Sequence, residues 1–166
     1  LLTGYAGDYC GQLYFSGLGI SEAFEQSVLP SAMSVTADQL HHKLPPRALS
    51  SHKGQCGHVL LIGGNKGMSG AIRMAATACL RAGAGLVTVL THADNVMIVA
   101  IDSPEIMVSG VEVDNGVGDD ISPWLQKADV VVFGPGAGQD EWAQSLLQQV
   151  RQANMPKVID ADGLNL

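Results

Sequence analysis

The chain has 166 residues, of which 46% are hydrophobic, so it can bury one core of ordinary size with little left for a second. Its 16 acidic and 9 basic residues give a net charge of -7, which repels nucleic acids and anionic membrane surfaces. These numbers argue against a nucleic-acid or membrane role. Nucleotide binding stays open, because backbone N–H groups and helix N-termini can hold phosphates without a basic surface.

The cysteines and the first residues of the chain bear on whether the protein is cytoplasmic or secreted. Cys10, Cys56 and Cys79 are scattered and form no CxxC pair, which predicts reduced thiols rather than a disulfide framework or a zinc site. No apolar run reaches the roughly 18 to 20 residues of a membrane span, and Leu1-Leu2-Thr3-Gly4 lacks the features of a secretory signal. We expect a soluble, cytoplasmic protein. Because the sequence begins without methionine, we also expect a piece of a longer polypeptide.

The first part of the chain carries weak structural signals. Residues 9–15 alternate apolar and polar side chains, and a short helical turn is predicted near Ser21 to Gln26. Residues 1–33 are not expected to fold alone. From Thr36 a capping pattern predicts a brief helix, which Pro45-Pro46 should stop.

The rest of the chain alternates strands and helices. The predicted elements, in chain order, are a strand at 59–62, a helix from Gly70 to Gly83, a strand at 86–90, a short helix at 95–100, a strand at 106–109, a helix from Ser122 to about 128, a strand at 130–133, a helix carrying Trp142, Leu146 and Val150, and a strand at 158–159. Ser122 is the predicted capping residue of its helix, with Pro123 at the first helical position. Strands that are apolar throughout predict a parallel sheet covered on both faces, in a three-layer doubly wound α/β fold.

Three of the predicted strands end in unusual sequences, where ligands bind in such sheets. These are GGNKGMSGA at 63–71, GPGAG at 134–138 and DADGLN at 160–165. Glycines at strand ends let the backbone approach a bulky ligand and leave N–H groups free for oxygen atoms, although they also serve simply to make tight turns. Their shared position at one sheet edge favours a binding site.

Several common site types are excluded by spacing. The first loop lacks the GxGxxG spacing of a dinucleotide fingerprint, and the chain contains no GxxxxGK[ST], GxSxG or HExxH motif. Asp140 and Glu141 follow the second loop and would repel a phosphate there, so anion contact is predicted at the first loop. Asp160 and Asp162 could serve as a base or metal ligands, but we expect a structural or orienting role. No histidine has a partner that indicates catalysis.

The motifs occur together in the order found in one enzyme family. They are Lys53-Gly54, Gly57, GGNKGMSGA, LRAGAGLV at 80–87, GPGAG and DADGLN. From about residue 36 to residue 166 the chain resembles the ADP- or ATP-dependent NAD(P)H-hydrate dehydratases, which implies a ribokinase-like fold, incomplete at the C-terminus. Residues 3–26 resemble the end of the epimerase domain fused to bifunctional members. The expected domains are therefore an epimerase tail at 1–33 and the N-terminal part of a dehydratase domain at 34–166.

The resemblance implies repair of NADH or NADPH that has been damaged by hydration. In this carbon–oxygen lyase reaction a nucleotide, with ADP expected over ATP, phosphorylates the new hydroxyl of the S epimer, and elimination of phosphate restores the dihydronicotinamide. The fused epimerase, an isomerase, interconverts the two hydrate epimers. ADP or ATP is thus the implied co-substrate, Mg²⁺ is a further candidate, and family members assemble as homo-oligomers.

The predicted substrate-binding residues lie in the three loops. They are Gly64, Asn65, Gly70 and Ala71 in the first, Gly136 and Gly138 in the second, and Asp160 and Asn165 in the third. By resemblance, Ala71 and Gly138 contact the hydrated dinucleotide, and the others lie near it. Ala137 stands where the family usually has leucine, and Gly163 where it usually has alanine; both changes leave the loops plausible.

The family's catalytic aspartate is expected beyond Leu166, so no catalytic residue and no metal ligand is predicted within the chain, and the chain alone is expected to be inactive. Two other functions stay open. The first is a ribokinase-like small-molecule kinase, which would stop at phosphoryl transfer. The second is a non-catalytic nucleotide-binding module.

Overall fold

The computed structural model describes residues 4–29, 35–44, 46–101 and 103–166. These residues form two compact units that divide between Pro46 and Arg47. Leu1 to Thr3 and the predicted helix stop at Pro45 lie outside the described residues.

The described part of the first unit contains three short helices, and none of its described residues is buried. They are α1 (Ala6–Tyr9), α2 (Ser21–Ser27) and α3 (Ala37–Lys43). The alternating stretch forms no strand: α1 takes its first residue, and 10–15 have no regular secondary structure. Large apolar side chains stay exposed, including Tyr14 at 84% and Phe15 at 92%.

The predicted capping pattern at Thr36 is confirmed. The Gln39 N–H donates to the Thr36 hydroxyl at 3.4 Å, and the Thr36 N–H donates to the Gln39 side-chain oxygen at 3.0 Å. Each residue thereby satisfies a donor that the first turn of α3 would otherwise leave without a partner.

The second unit is built on a five-stranded sheet. In chain order it contains a 3-10 turn (Lys53–Gln55), β1 (His58–Ile62), α4 (Ser69–Ala82), β2 (Leu86–His92), a 3-10 turn (Ala93–Asn95), α5 (Val96–Ala100), β3 (Met107–Val111), β4 (Val113–Asp114), β5 (Val117–Gly118), α6 (Ser122–Leu125), β6 (Val130–Phe133), α7 (Glu141–Gln152), β7 (Lys157–Ile159) and α8 (Ala161–Leu164). The sheet order is β3-β2-β1-β6-β7, and every neighbouring pair is parallel.

Side chains of successive strand residues point to opposite faces of this sheet, and both faces are buried. On one face Leu61 and Val89 pack in a cluster with Ile72 and Ala76 of α4. On the other face the cluster contains strand and α7 residues, namely Leu60, Ile62, Val131, Phe133, Leu146 and Val150. The predicted three-layer, doubly wound arrangement is confirmed.

Two features differ from the predictions. An antiparallel hairpin of β4 and β5 was not predicted, although its turn is Asn115-Gly116 with φ of 49° and 74°, the residue pair that such turns favour. Helix α6 is shorter than predicted and its N-cap residue is Ile121, with no capping side chain. Ser122 is instead the first helical residue, and its N–H donates to the Asp120 carboxylate at 2.9 Å. No helix within the described ranges is long and apolar enough to cross a membrane.

Candidate functional site

The first two glycine-rich loops meet at the switch point of the sheet, between β1 and β6, where the order in which the chain adds strands reverses. From β1 the chain proceeds through α4 to β2 on one side, whereas β6 pairs with β1 on the other side. The helices that follow β1 and β6 cover opposite faces, so a crevice opens at the carboxyl ends of these two strands. The loops 63–71 and 134–138 both begin there.

Backbone hydrogen bonds join the two loops directly. The Gly64 N–H donates to the Pro135 carbonyl at 2.9 Å, and the Asn65 N–H donates to the Gly136 carbonyl at 2.8 Å. The first loop therefore continues the pairing of β1 and β6 beyond the ends of the strands. The predicted meeting of the loops at one sheet edge is confirmed.

Close packing explains some of the glycines without any ligand. Gly64 has a φ of 66°, and a Cβ there would stand 2.5 Å from Cγ2 of Ile72. Gly136 has a φ of 65°, and its Cβ would stand 2.8 Å from the Met68 carbonyl oxygen. Both conformations suit glycine alone. For these two positions the tight-turn explanation is sufficient.

The N-terminus of α4 is not closely packed like Gly64 and Gly136, because open space lies beside Gly70. A Cβ at Gly70 would meet no described atom within 4 Å, and no described side chain caps this helix. The N–H groups in the first turn of a helix have no intrahelical partner and carry partial positive charge. Ala71 lies in the same turn, and its Cβ is 3.3 Å from the place a Cβ of Gly136 would occupy. This end of α4 can accept an anionic group.

The N-terminus of α7 is already capped. The Asp140 carboxylate accepts from the Ala143 N–H at 3.2 Å, and Glu141 is the first helical residue. Two acidic residues there disfavour a phosphate. The arrangement agrees with the prediction that anion contact belongs to the first loop.

Asn65 is buried between the two loops, with 4% of its surface exposed. Its Nδ2 donates to the Ala137 carbonyl at 3.0 Å and to the Asp140 carboxylate at 2.8 Å, and its Oδ1 accepts from the Lys66 N–H at 2.7 Å. The predicted substrate residue thus has its side chain engaged within the protein.

Sequence reasoning missed two residues that support the first loop. The Gly64 carbonyl accepts from the Thr91 hydroxyl at 2.6 Å and from Asn95 Nδ2 at 2.8 Å. The same Nδ2 donates to the Asn65 carbonyl at 2.9 Å. Thr91 is fully buried and Asn95 is 3% exposed. Thr91 lies at the carboxyl end of β2 and Asn95 in the turn that follows, and this position at the same sheet edge as the glycine loops is a signal that could have identified them.

The third loop contacts the second through the backbone and through Asp162. The Gly138 N–H donates to the Asp162 carboxylate at 3.1 Å, which is the orienting role expected of an acid here. Asp160 is exposed, and its backbone lies beside Gly134, whose Cβ would stand 2.9 Å from that of Asp160. Asn165 is also exposed, and its N–H donates to the Asp162 carbonyl at 3.2 Å.

The predicted substrate-binding residues therefore form two groups. Gly64, Asn65, Gly70, Ala71, Gly136 and Gly138 lie together at the carboxyl ends of β1 and β6, and Asp160 and Asn165 lie on the neighbouring loop. Within the described ranges no three His, Cys, Asp or Glu side chains are grouped so that they could hold a metal ion. His58 has structural partners, since its ring nitrogens lie 2.9 Å from the Lys127 carbonyl and 2.7 Å from the Thr88 hydroxyl.

Comparisons with known proteins agree with this architecture. The family model described as NAD(P)H-hydrate dehydratase matches residues 59–166. The bifunctional NAD(P)H-hydrate repair enzyme of Coxiella burnetii is 48% identical over 166 residues, which cover 100% of this chain and 33% of that protein. The chain thus spans about a third of the length of this relative.

Two solved structures share the fold. A ribokinase-like superfamily protein from Enterococcus faecalis is 35% identical with a TM-score of 0.62, covering 72% of this chain and 42% of its own. An ADP/ATP-dependent NAD(P)H-hydrate dehydratase from Bacillus subtilis, co-crystallised with ATP and Mg²⁺, is 25% identical with a TM-score of 0.62, covering 78% and 46%. The fold is ribokinase-like, and the chain belongs to the NAD(P)H-hydrate dehydratase family.

Proposed function

We propose that this chain is part of a bifunctional nicotinamide-nucleotide repair enzyme and contributes the first half of its dehydratase site. The reaction is the nucleotide-dependent dehydration of the S epimer of hydrated NADH or NADPH. The family match and the similarity to the bifunctional enzyme of C. burnetii support this substrate. The observation that carries it in the structure is the pairing of two glycine-rich loops at the switch point of the sheet.

The residues of the first loop suit a dinucleotide. The first turn of α4 offers N–H groups that no described side chain caps, next to open space at Gly70. Such a helix end attracts a phosphate group, so we assign it to the pyrophosphate of the hydrate. Ala71 and Gly138, one on each loop, are the proposed substrate contacts. The nucleotide supplies the phosphoryl group that turns the hydroxyl of the hydrate into a leaving group.

The domain boundary proposed from the sequence also has support. The bifunctional relative matches the whole chain, whereas the B. subtilis dehydratase matches 78% of it. About a fifth of the chain is thus shared with the bifunctional protein but not with the solved dehydratase. We assign residues 1–33 to the epimerase domain and residues 34–166 to the dehydratase domain. Because the chain covers 46% of the B. subtilis dehydratase, we propose that these 166 residues alone do not catalyse the reaction.

The co-substrate, the compartment and the oligomeric state are further parts of this proposal. We propose ADP as the preferred donor over ATP, with Mg²⁺ bound by the nucleotide rather than by side chains described here. The protein is proposed to be a cytoplasmic homo-oligomer with free Cys10, Cys56 and Cys79 thiols.

The test uses the longer parent polypeptide. Hydrated NADH is supplied with ADP or with ATP, and the return of the dihydronicotinamide absorbance is followed. Recovery that requires one nucleotide supports the proposal and identifies the donor. No recovery with either nucleotide would overturn it, and accumulation of a phosphorylated compound without recovery would identify a kinase.

A further inference from the structure

The amide of Asn65 has no N–H donor left for a ligand. An asparagine side chain offers two N–H donors, and both are engaged, one with the Ala137 carbonyl and one with the Asp140 carboxylate. The oxygen accepts from the Lys66 N–H at 2.7 Å. With 4% of the residue exposed, Asn65 is enclosed by its partners.

The two acceptors of Asn65 lie on either side of Gly138. Ala137 precedes Gly138 and Asp140 follows it by two residues, so Asn65 holds the second loop on both sides of the proposed substrate contact. A Cβ at Gly138 would stand 3.5 Å from Asn65 Nδ2, which shows how closely the amide lies beneath this position. The path of the second loop at Gly138 therefore depends on the amide of Asn65.

Asp140 connects this contact to α7. The same carboxylate oxygen that accepts from Asn65 also accepts from the Ala143 N–H at 3.2 Å in the first turn of the helix. The backbone of Asn65 is in turn held by Asn95, in the 3-10 turn after β2, which donates to the Asn65 carbonyl at 2.9 Å. The side-chain amide thus links the loop after β1 with the loop after β6 and, through Asp140, with the start of α7.

We infer that Asn65 and Asp140 are positioning residues for the hydrated dinucleotide: their hydrogen bond sets the distance between the first turn of α4 and Gly138, and neither side chain contacts the substrate. This inference rests on the proposed function, since it assigns a role within that site. It gives Asn65, which the motif placed near the substrate, an indirect role in substrate binding.

The test exchanges charges in the longer parent protein. Asn65→Asp places a second carboxylate against Asp140, so that one of the two must hold a proton to restore a hydrogen bond. The double variant Asn65→Asp with Asp140→Asn removes the repulsion and offers a donor from the other side. The matched control is Asn115→Asp, because Asn115 Nδ2 also donates to an aspartate, Asp114 at 3.0 Å, but in an exposed hairpin turn.

We expect Asn65→Asp to raise the KM for the hydrate about tenfold to a hundredfold at mildly alkaline pH, with the KM for the nucleotide unchanged. The KM for the hydrate should fall again as the pH is lowered, because protonation restores the donor. The double variant should recover part of the affinity and show a weaker pH dependence, because the contact with residue 140 is restored whereas the Ala137 carbonyl still lacks its donor. Asn115→Asp should match the wild type. A general loss of folding would instead change both KM values.

The inference is wrong if the double variant is as impaired as Asn65→Asp at every pH, since the hydrogen bond between residues 65 and 140 would then not determine hydrate binding. It is also wrong if Asn65→Asp binds the hydrate normally. A wild-type parent that converts no hydrate would refute the proposed function instead. In that case, hydrogen exchange of residues 134–140 still tests the inference: exchange should be faster in Asn65→Asp than in Asn115→Asp at alkaline pH, and equal rates would overturn it.

Discussion

Gly136 lies against Met68 so closely that a Cβ on Gly136 would stand 2.8 Å from the Met68 carbonyl oxygen. Real Cβ atoms do not approach a backbone oxygen this closely, and the φ of 65° adds strain for any other residue. We expect Gly136→Ala to lower the free energy of unfolding by about 2 to 3 kcal/mol and to weaken hydrate binding. Denaturant unfolding of the parent measures the first effect, and calorimetric titration with the hydrate measures the second.

Gly67→Ala is the control for this substitution. Gly67 also has a positive φ, 78°, but a Cβ there would meet no described atom within 4 Å. Only the conformational strain applies, so a cost of about 1 kcal/mol is expected. An equal loss of stability in the two variants would show that the contact with Met68 is unimportant.

Gly70→Ala separates binding from stability. A Cβ on Gly70 faces open space in the first turn of α4, and alanine favours a helix by up to about 1 kcal/mol. The variant should be as stable as the wild type or more so, yet bind the hydrate more weakly because the methyl group occupies the space assigned to the substrate. Thermal unfolding measures the stability of the variant, and calorimetric titration of the same preparation measures its affinity for the hydrate. Unchanged affinity would remove the first turn of α4 from the proposed site.

Asn95→Ala tests the hydrogen bonds that hold the first loop from the 3-10 turn after β2. The buried Asn95 side chain donates to the carbonyl groups of Gly64 and Asn65, and alanine would remove both hydrogen bonds. The loss of these buried hydrogen bonds should cost about 1 to 3 kcal/mol. We expect a lower thermal midpoint together with a raised KM for the hydrate. Thr88→Ala serves for comparison, because Thr88 is also a buried polar residue of the sheet but bonds to His58 rather than to the loops. A similar rise in KM for Thr88→Ala would show that the effect of Asn95→Ala is not specific to the loops.

A pH prediction concerns the start of α6. The Ser122 hydroxyl, together with its N–H, donates to Asp120 and holds the pKa of that carboxyl below its usual range. A lowered pKa in the folded state contributes stability above the pKa of the unfolded state, and this is lost as the pH falls through the folded pKa. Ser122→Ala should therefore raise the pKa of Asp120, as measured by NMR titration of its carboxyl carbon. An unchanged pKa would refute the role of the hydroxyl.

The fold was largely predictable because its central strands are distinct apolar runs in the sequence. The runs at 59–62 and 130–133 are apolar throughout, and a parallel sheet brings the loops that follow them to one edge. The hairpin with the turn Asn115-Gly116 was not predicted, because its strands have only two residues each and form no apolar run. At Ser122 the predicted start of the helix was one residue late, because Asp120 accepts from the Ser122 N–H and Ser122 is already the first helical residue.

The connections inside the site could not be predicted in the same way. Asn65 and Asp140 are separated by 75 positions, and their hydrogen bond depends on the register of the loops beyond β1 and β6. The motifs indicated that Asn65 belongs to the site, but they could not show that its amide is engaged within the protein. The hydrogen bonds of Asn95 could not be predicted for the same reason, because its partners are backbone carbonyl groups; only its position just after β2 indicates a role at this edge.

Repair by dehydration is tested by the stoichiometry of one turnover of the parent enzyme. The S epimer of hydrated NADH is mixed with ADP, and NADH, AMP and inorganic phosphate are measured together. We expect the three products to appear in equal amounts and none to form when the hydrate is omitted. Consumption of ADP without NADH, or recovery of NADH without nucleotide consumption, would contradict repair by dehydration.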